Sequence, residues 1–263
     1  MKTYILGSCS IENRDFYISQ YEKLKPIMDS IEGDFYYKGS YDKANRSSIN
    51  GERGPGLSES IEIFKEIKSM YPQIKLTTDV HEVWQVEKLA GIIDCIQIPA
   101  FLCRQTDLLT ESAKVCNVVN IKKGQWMSPQ NMVKGLDKIK ETNPNCEAWI
   151  TERGTQFGYT QLIVDFGAVE TLKKYFDKVI LDCTHSTQRL KSNGRTGGDH
   201  TMAIKYWKVA DIFEYDGVFA ETHPNPIEAT SDMDSQIPFK EMKELLKLEH
   251  VKQSQKRKMD EWV

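Results

Sequence analysis

The sequence predicts a single (β/α)8 barrel, in which eight parallel strands alternate with helices and close into a cylinder. Short apolar runs alternate with longer segments of helical periodicity along the chain, which indicates a parallel sheet. The alternation gives eight strands, and a length of 263 residues is typical of one such barrel. No Gly-x-Gly-x-x-Gly sequence follows the first strand, which argues against an open dinucleotide-binding sheet. We therefore expect one catalytic domain over residues 1–263.

The predicted strands are short runs of apolar and β-branched residues. They are Thr3–Gly7, Asp34–Lys38, Lys75–Asp79, Cys95–Ile98, Val118–Lys122, Glu147–Thr151, Lys178–Asp182 and Gly217–Glu221. The segments between them repeat apolar residues at helical spacing. The clearest such sets are Phe16, Tyr21, Leu24 and Ile27; Ile61, Phe64, Ile67 and Met70; Met132, Leu136 and Ile139; and Val169, Leu172 and Phe176. No repeat, low-complexity tract or Pro/Gly-rich linker interrupts the pattern.

Composition excludes several classes of function. Hydrophobic residues make up 40% and charged residues 28% of the chain, as in globular proteins with a highly charged surface. The net charge of −3 argues against a nucleic-acid-binding protein, which usually carries a basic excess. No apolar run is long enough to span a bilayer, and the N-terminal apolar stretch is too short for a signal peptide. Six widely spaced cysteines predict reduced thiols and a cytoplasmic protein.

Active sites of such barrels lie at the C-terminal ends of the strands, and here every predicted strand ends near a polar group. In chain order these groups are Cys9; Lys38; Asp79 and His81; Gln97 and Arg104; Lys122, Lys123 and Gln125; Glu152 and Arg153; Asp182 and His185; Glu221 and His223. Polar residues are expected at loop starts in any barrel, but ionisable groups at so many strand ends favour a functional site.

The cations among these residues predict a site for an anion with more than one phosphate or carboxylate group. Lys38 ends the second strand, Lys43 and Arg46 follow it within a few residues, and Ser47 adds a hydroxyl. Arg offers a planar fork of donors, Lys a point charge and Ser a hydroxyl donor, which together suit a phosphate. A solvated basic loop is the alternative for this segment considered alone.

A second set could hold a divalent transition metal such as Zn²⁺, Fe²⁺ or Mn²⁺. It consists of Cys9, His185, Glu221 and Asp232, which offer one thiol, one imidazole and two carboxylates. No local ligand motif supports this set, so a buried structural thiol and a hydrogen-bonded loop histidine remain the alternative.

Six segments of the sequence resemble the 3-deoxy-D-manno-octulosonate 8-phosphate synthase family, and the resemblance extends over nearly the whole chain. The resemblance rests on Lys43–Ser48 with Arg53–Gly56, Thr78–Glu82, Ile96–Leu108, Lys122–Gln125, Glu152–Gly154 with Phe157–Tyr159, and Asp182–His185 with Glu221 and His223-Pro224. The Lys-Ala-Asn-Arg-Ser-Ser string separates this family from the related 3-deoxy-heptulosonate 7-phosphate synthases.

The resemblance implies a barrel enzyme that condenses phosphoenolpyruvate with D-arabinose 5-phosphate and water in lipopolysaccharide biosynthesis. It implies that Lys38, Lys43, Lys123 and Arg153 hold phosphoenolpyruvate and that Asn45, Arg46 and Ser47 hold the phosphate end of the sugar. We further assign catalytic roles to Lys43, Lys123, Asp79, His81 and His185, and substrate contacts to Gln97, Lys122 and Gln125. Cysteine at the first strand is typical of the metal-dependent type, so Cys9, His185, Glu221 and Asp232 are the implied ligands. Family members are usually tetramers.

Two other functions stay open at this point. A related condensation could use another phosphosugar, such as erythrose 4-phosphate. A non-catalytic barrel that binds a sugar phosphate is the alternative of a different class.

Overall fold

The computed structural model describes residues 1–46, 49–190 and 196–260. Its strands are β1 (Thr3–Ser10), β2 (Asp34–Ser40), β3 (Lys75–Asp79), β4 (Cys95–Ile98), β5 (Val118–Lys122), β6 (Glu147–Glu152), β7 (Lys178–Asp182), β8 (Arg189–Leu190), β9 (Thr196–Gly197), β10 (Gly217–His223) and β11 (Ile237–Pro238). Strands β1 to β7 and β10 pair in parallel, each with the next, and β10 pairs with β1. The predicted (β/α)8 barrel is therefore confirmed.

Eight α-helices lie in the described part of the chain. They are α1 (Arg14–Met28), α2 (Leu57–Met70), α3 (Val83–Leu89), α4 (Thr106–Val115), α5 (Val133–Thr142), α6 (Ala168–Leu172), α7 (His200–Ile212) and α8 (Phe239–Asp260). Local capping starts some of them: the Asn13 side chain accepts a hydrogen bond from the Phe16 N–H at 2.9 Å. Three of the four predicted helical sets lie in or beside α1, α2 and α5. The fourth prediction is too long, because α6 ends at Leu172 and Phe176 lies beyond the turn of residues 173–175 that follows it.

The interior of the barrel is filled by one compact apolar layer. Its members are Ile5, Tyr36, Cys95, Val118, Trp149, Ile180 and Phe219, all buried. A larger apolar cluster lies between the sheet and the surrounding helices. Since the inner layer closes the barrel from below, the polar groups beyond it at the C-terminal strand ends form a pocket with a solid floor.

Four strands run further than the sequence predicts. Strand β1 ends at Ser10, β2 at Ser40, β6 at Glu152 and β10 at His223, beyond the predicted ends at Gly7, Lys38, Thr151 and Glu221. The added residues are polar, and hydrophobic periodicity does not detect them, yet they are buried because they line the pocket.

All six cysteines are buried and unpaired, as expected of reduced thiols. None of the helices in the described ranges combines the length and the apolar character that a membrane crossing requires.

Candidate active site

The C-terminal end of the barrel carries a pocket rich in cationic side chains. Lys38, Lys122, Lys123 and Arg153 are each at most 7% exposed, and they come from β2, β5 and β6 or directly follow them. The ring of Phe219 forms part of the floor, with the Nζ atom of Lys122 only 3.2 Å from its centroid. Buried cations are costly unless anions compensate them, so the neighbours of each cation decide what the pocket can bind.

At the end of β2, two lysines share one hydroxyl group. The Nζ atoms of Lys38 and Lys43 donate to Ser40 Oγ at 2.8 and 2.9 Å, and Ser40 donates to Asp79. The Oδ2 atom of Asp79 lies 3.1 Å from Nε2 of His81. Burial by itself would raise the pKa of Asp79, but His81 and the two lysines hold that pKa well below its usual range. Asp79 therefore remains an anion that orients its neighbours.

At the ends of β5 and β7, Asp182 joins a lysine to a histidine. Its Oδ2 atom accepts hydrogen bonds from Lys122 Nζ at 2.5 Å and from His185 Nδ1 at 2.8 Å. Burial lowers the pKa of Lys122 to about 8, although Asp182 acts in the opposite direction. Because Nδ1 of His185 is engaged by a carboxylate, Nε2 is the ring nitrogen that is left to face the pocket.

Lys123 is held by several weaker contacts. Its Nζ donates to Thr155 Oγ1 at 3.2 Å and lies 3.5 Å from Oε2 of Glu152. That oxygen is buried without a hydrogen-bond partner among the described residues. Burial raises the pKa of Glu152, and Lys123 only partly offsets this effect.

Arg153 is the clearest anion-binding group. Its Nη2 donates to Oε1 of Gln188, but its Nη1 is buried and has no hydrogen-bond partner in the described part of the chain. A guanidinium can only donate, so the unpartnered Nη1 needs an acceptor that the protein does not supply. An anionic ligand fits this requirement.

The predicted metal ligands converge beside these cations. Ligand atoms of Cys9, Glu221 and Asp232 lie within 4.8 Å of one another. Nε2 of His185 lies 3.5 Å from Glu221 Oε2 and 3.9 Å from Asp232 Oδ2. Glu221 Oε2 is buried without a hydrogen-bond partner among the described residues, while Oε1 is 3.2 Å from Lys38 Nζ. A thiol, an imidazole and two carboxylates around an orphaned oxygen fit a divalent transition metal.

Burial and neighbouring charges together set the protonation states of Cys9 and Asp232. It raises the pKa of Cys9 well above its usual value, and the Glu221 carboxylate adds to the effect. Burial also acts to raise the pKa of Asp232, but His185 and Lys43 more than offset it and bring that pKa to about 2. The carboxylate is therefore ionised at neutral pH.

Asp232 has an unusual backbone for a residue other than glycine. Its φ is +48°, in the left-handed region that Asp tolerates better than most residues. The backbone is fixed there because its carbonyl accepts from the N–H groups of Ser235 at 3.0 Å and Gln236 at 3.1 Å. Its carboxylate accepts from Cys9 Sγ at 3.1 Å. Such a conformation at a ligand cluster is typical of a functional site.

The remaining predicted residues vary in placement. Gln97 is buried, and its Oε1 has no hydrogen-bond partner among residues 1–46, 49–190 and 196–260. Gln125 is partly buried and Asn45 is exposed. Arg46 donates to Ser231 Oγ at 2.8 Å and to the Thr230 carbonyl at 3.0 Å, so it reaches the loop that carries Asp232. Ser47 lies outside the described residues.

Sequence reasoning did not assign roles to five residues that organise the pocket. They are Ser40, Glu152, Asp182, Gln188 and Ser231. Glu152 directly follows one predicted strand and Asp182 ends another, so both stood among the polar groups at the strand ends, and that position was a usable signal. Gln188 and Ser231 connect segments that are far apart in the chain, and no local pattern indicates them. Ser40 contacts the nearby Lys38 and Lys43 as well as Asp79, but a serine at a strand end gives no signal by itself.

Comparisons with known proteins agree with this geometry. Residues 2–258 match the family described as the DAHP synthetase I family. A 2-dehydro-3-deoxyphosphooctonate aldolase of Wolinella succinogenes is 41% identical over 253 residues, covering 92% of this chain and 95% of that protein. Proteins of the same name from Helicobacter hepaticus and Fusobacterium nucleatum are 42% and 39% identical. They cover 86% and 93% of this chain and 87% of each relative.

Proposed function

This chain belongs to the DAHP synthetase I family, and we propose that it is a 2-dehydro-3-deoxyphosphooctonate aldolase, that is, a 3-deoxy-D-manno-octulosonate 8-phosphate synthase. The reaction condenses phosphoenolpyruvate, D-arabinose 5-phosphate and water to the eight-carbon sugar acid phosphate and inorganic phosphate. An octonate built on a three-carbon donor needs a five-carbon acceptor, which favours arabinose 5-phosphate over erythrose 4-phosphate.

The observation that carries the proposal is the unpartnered buried Nη1 of Arg153 among three buried lysines. Carboxylates already lie beside Lys38, Lys122 and Lys123, but Nη1 of Arg153 has no acceptor in the described part of the chain. Phosphoenolpyruvate carries a phosphate and a carboxylate, and either group can accept from this Nη1. We assign its binding to Lys38, Lys43, Lys123 and Arg153, with further contacts from Lys122, Gln97 and Gln125.

The acceptor is assigned to the segment after β2. Asn45, Arg46 and Ser47 would hold the phosphate end of the sugar. The Arg46 guanidinium is already oriented by Ser231 and Thr230, so less side-chain freedom is lost when a phosphate binds.

The chemistry follows from holding two anions in one cationic pocket. C3 of phosphoenolpyruvate attacks the aldehyde carbon of the open-chain sugar and forms the C–C bond with the electron pair of its double bond, which leaves C2 electron-deficient. The carbonyl electron pair moves to the aldehyde oxygen, which takes up a proton and becomes a hydroxyl group. Water adds to C2, and the tetrahedral intermediate loses phosphate when the C–O bond breaks. The buried cations offset the mutual repulsion of the substrates and stabilise the charge that develops on them.

The proton of the attacking water needs an acceptor, and we assign this role to His81. Its Nε2 faces the ionised Asp79, which places the ring proton on Nε2. Nδ1 is then the basic nitrogen, and it is buried without a partner in the described part of the chain.

A divalent metal would be held by Cys9, His185, Glu221 and Asp232, and it would polarise the aldehyde oxygen or orient the water. We expect Cys9→Ala to lose metal binding and metal-dependent activity, and Cys9→Asn to regain part of a metal-free activity. The metal content and the activity of each purified variant are measured before and after chelation. Full activity of chelated Cys9→Ala would refute the metal role.

Phosphate release with each sugar phosphate in turn tests the function. We expect release with phosphoenolpyruvate and arabinose 5-phosphate. Release only with erythrose 4-phosphate would replace this acceptor with the alternative one. Binding of both substrates without any release would instead support a non-catalytic binding barrel.

We also propose a homo-oligomer, with the tetramer as the expected form. Exposed aromatic side chains follow β4, β5 and β6: Phe101, Trp126, Phe157 and Tyr159 are 58%, 52%, 84% and 108% exposed. The N–H of Gln156 donates to the Gln125 carbonyl at 2.9 Å, so two of these loops adjoin. Exposed aromatic side chains on adjoining loops favour a protein interface. Light scattering that shows a monomer would refute the proposed homo-oligomer.

A cytoplasmic location, with no nucleic-acid partner, stays a prediction.

A further inference from the structure

Two side chains connect the carboxylate of Asp232 to two arginines. Gln188 accepts from Nη2 of Arg153 through Oε1 and donates through Nε2 to Asp232 Oδ1 at 3.2 Å. Ser231 accepts from Nη1 of Arg46 at 2.8 Å and donates to Asp232 Oδ2 at 3.3 Å. A guanidinium only donates and a carboxylate only accepts, so each bridge has a single possible direction.

The two bridges act on the part of Asp232 that is still free to move. Its carbonyl is fixed by the N–H groups of Ser235 and Gln236, which leaves the side-chain rotation. One oxygen is contacted by Gln188 and the other by Ser231 and Cys9. The orientation of the carboxylate therefore depends on where the two bridging groups stand.

Each bridge begins at an arginine assigned to a different substrate. Arg153 belongs to the proposed phosphoenolpyruvate site and still has an unpartnered Nη1. Arg46 belongs to the proposed sugar-phosphate site. An anion on either guanidinium restricts its motion, and the restriction passes to one oxygen of Asp232.

We propose that Gln188 and Ser231 are positioning residues that couple the two substrate anion sites separately to the metal ligand Asp232. The inference rests on the proposed function and deepens it. Binding of either substrate preorganises Asp232, so each substrate tightens metal binding, and by reciprocity the metal tightens each substrate. Coupling of this kind is typically about 5- to 150-fold in affinity.

The experiment is a titration of metal-stripped protein with Zn²⁺ against a chromophoric chelator. The Zn²⁺ affinity is measured alone, with phosphoenolpyruvate and with arabinose 5-phosphate. Wild type should show tighter Zn²⁺ binding with either substrate. Gln188→Leu should lose the effect of phosphoenolpyruvate but keep that of the sugar phosphate. Ser231→Ala should show the opposite pattern.

Two kinds of variant complete the design. Gln188→Glu keeps an acceptor for Arg153 but has no donor for Asp232, so it should also lose the effect of phosphoenolpyruvate on Zn²⁺ affinity. It replaces Gln188→Leu in the experiment if the leucine variant does not fold. Gln73→Leu and Ser69→Ala repeat the substitutions at exposed positions where α2 ends and β3 begins, at the opposite end of the barrel, and should keep both effects.

The outcomes separate the coupling from the proposed function. Retention of the phosphoenolpyruvate effect in a folded Gln188 variant would overturn the coupling. So would equal loss of both substrate effects in each variant, which indicates a merely structural role. Wild-type protein that binds Zn²⁺ and both substrates without mutual effect also overturns it. Wild type that binds no Zn²⁺ or no phosphoenolpyruvate overturns the proposed site itself, and the coupling with it.

Discussion

Asp182→Asn should destabilise the barrel strongly although it changes only one atom of the side chain. Asp182 is 0% exposed, and its Oδ2 accepts from Lys122 Nζ at 2.5 Å and His185 Nδ1 at 2.8 Å. An amide can keep the Oδ1 contacts, where the carboxylate accepts from the N–H groups of Thr184 and His185 at 3.1 and 2.8 Å. The –NH₂ group of the asparagine would then face Lys122 Nζ and His185 Nδ1, which are both donors, so these two groups would lose their buried acceptor.

The magnitude follows from the charge that is left behind. Removing one partner of a buried ion pair costs about 3–5 kcal/mol, because the other charge stays buried without compensation. For a chain of this size that loss lowers the melting temperature by roughly 6–20 °C. Urea unfolding at pH 7, followed by circular dichroism, measures the free energy directly.

The same strand provides a matched control. Asp177 directly precedes β7, and it accepts from Lys140 Nζ at 2.8 Å and from the Ala148 N–H at 2.8 Å. The side chain of Asp177 is 39% exposed, so water can solvate the Lys140 ammonium group that Asp177→Asn leaves without its anion. We therefore expect the free energy of unfolding to fall by only about 1 kcal/mol.

A double variant tests the cause. Lys122→Met with Asp182→Asn removes both charges and places an apolar side chain over Phe219, so it should regain most of the lost stability. Equal losses in Asp182→Asn and Asp177→Asn, or no recovery in the double variant, would refute the reasoning from burial.

Three further results are expected. Arg46→Ala should raise the KM for the sugar phosphate by about 10- to 150-fold, since charge-assisted hydrogen bonds contribute about 1.5–3 kcal/mol; a drop confined to kcat would contradict this. The kcat/KM for phosphoenolpyruvate should fall as the pH rises through about 8, where Lys122 loses its proton, and a pH profile that stays flat there would remove Lys122 from the site. Gly39→Ala should destabilise by about 1–3 kcal/mol in urea unfolding, because its Cβ would lie 2.5 Å from the Tyr17 ring. Gly167→Ala, whose Cβ meets nothing closer than 3.4 Å, should be neutral or stabilising.

The sequence predicts the barrel well because burial of apolar strand residues dictates both the strand starts and their number. Thr3, Asp34 and Gly217 begin strands where the periodicity places them. The strand ends are less predictable, since Ser10 and Ser40 are polar and owe their burial to the pocket. Hydrophobicity alone assigns such residues to loops.

Topology predicts that the site residues meet at one end of the barrel, but it does not predict which of them form hydrogen bonds with each other. Parallel strands bring Lys38, Lys123 and His185 to one end of any such barrel. Nothing local shows that Gln188 lies between Arg153 and Asp232, because the contact joins two loops separated by 44 positions. Pairings of this kind depend on side-chain packing in three dimensions.

The contact between Cys9 and Asp232 spans 223 positions of the chain. A ribosome must therefore release the residues from Cys9 to Asp232 before these two groups can meet. Strand β1 also lacks its neighbour β10 until residues 217–223 have been made, so one edge of the first strand stays unpaired until then. No N-terminal fragment that stops before residue 232 can bring together the four proposed metal ligands. Split halves of the protein should gain it only when they are mixed, which makes metal binding a reporter of barrel closure.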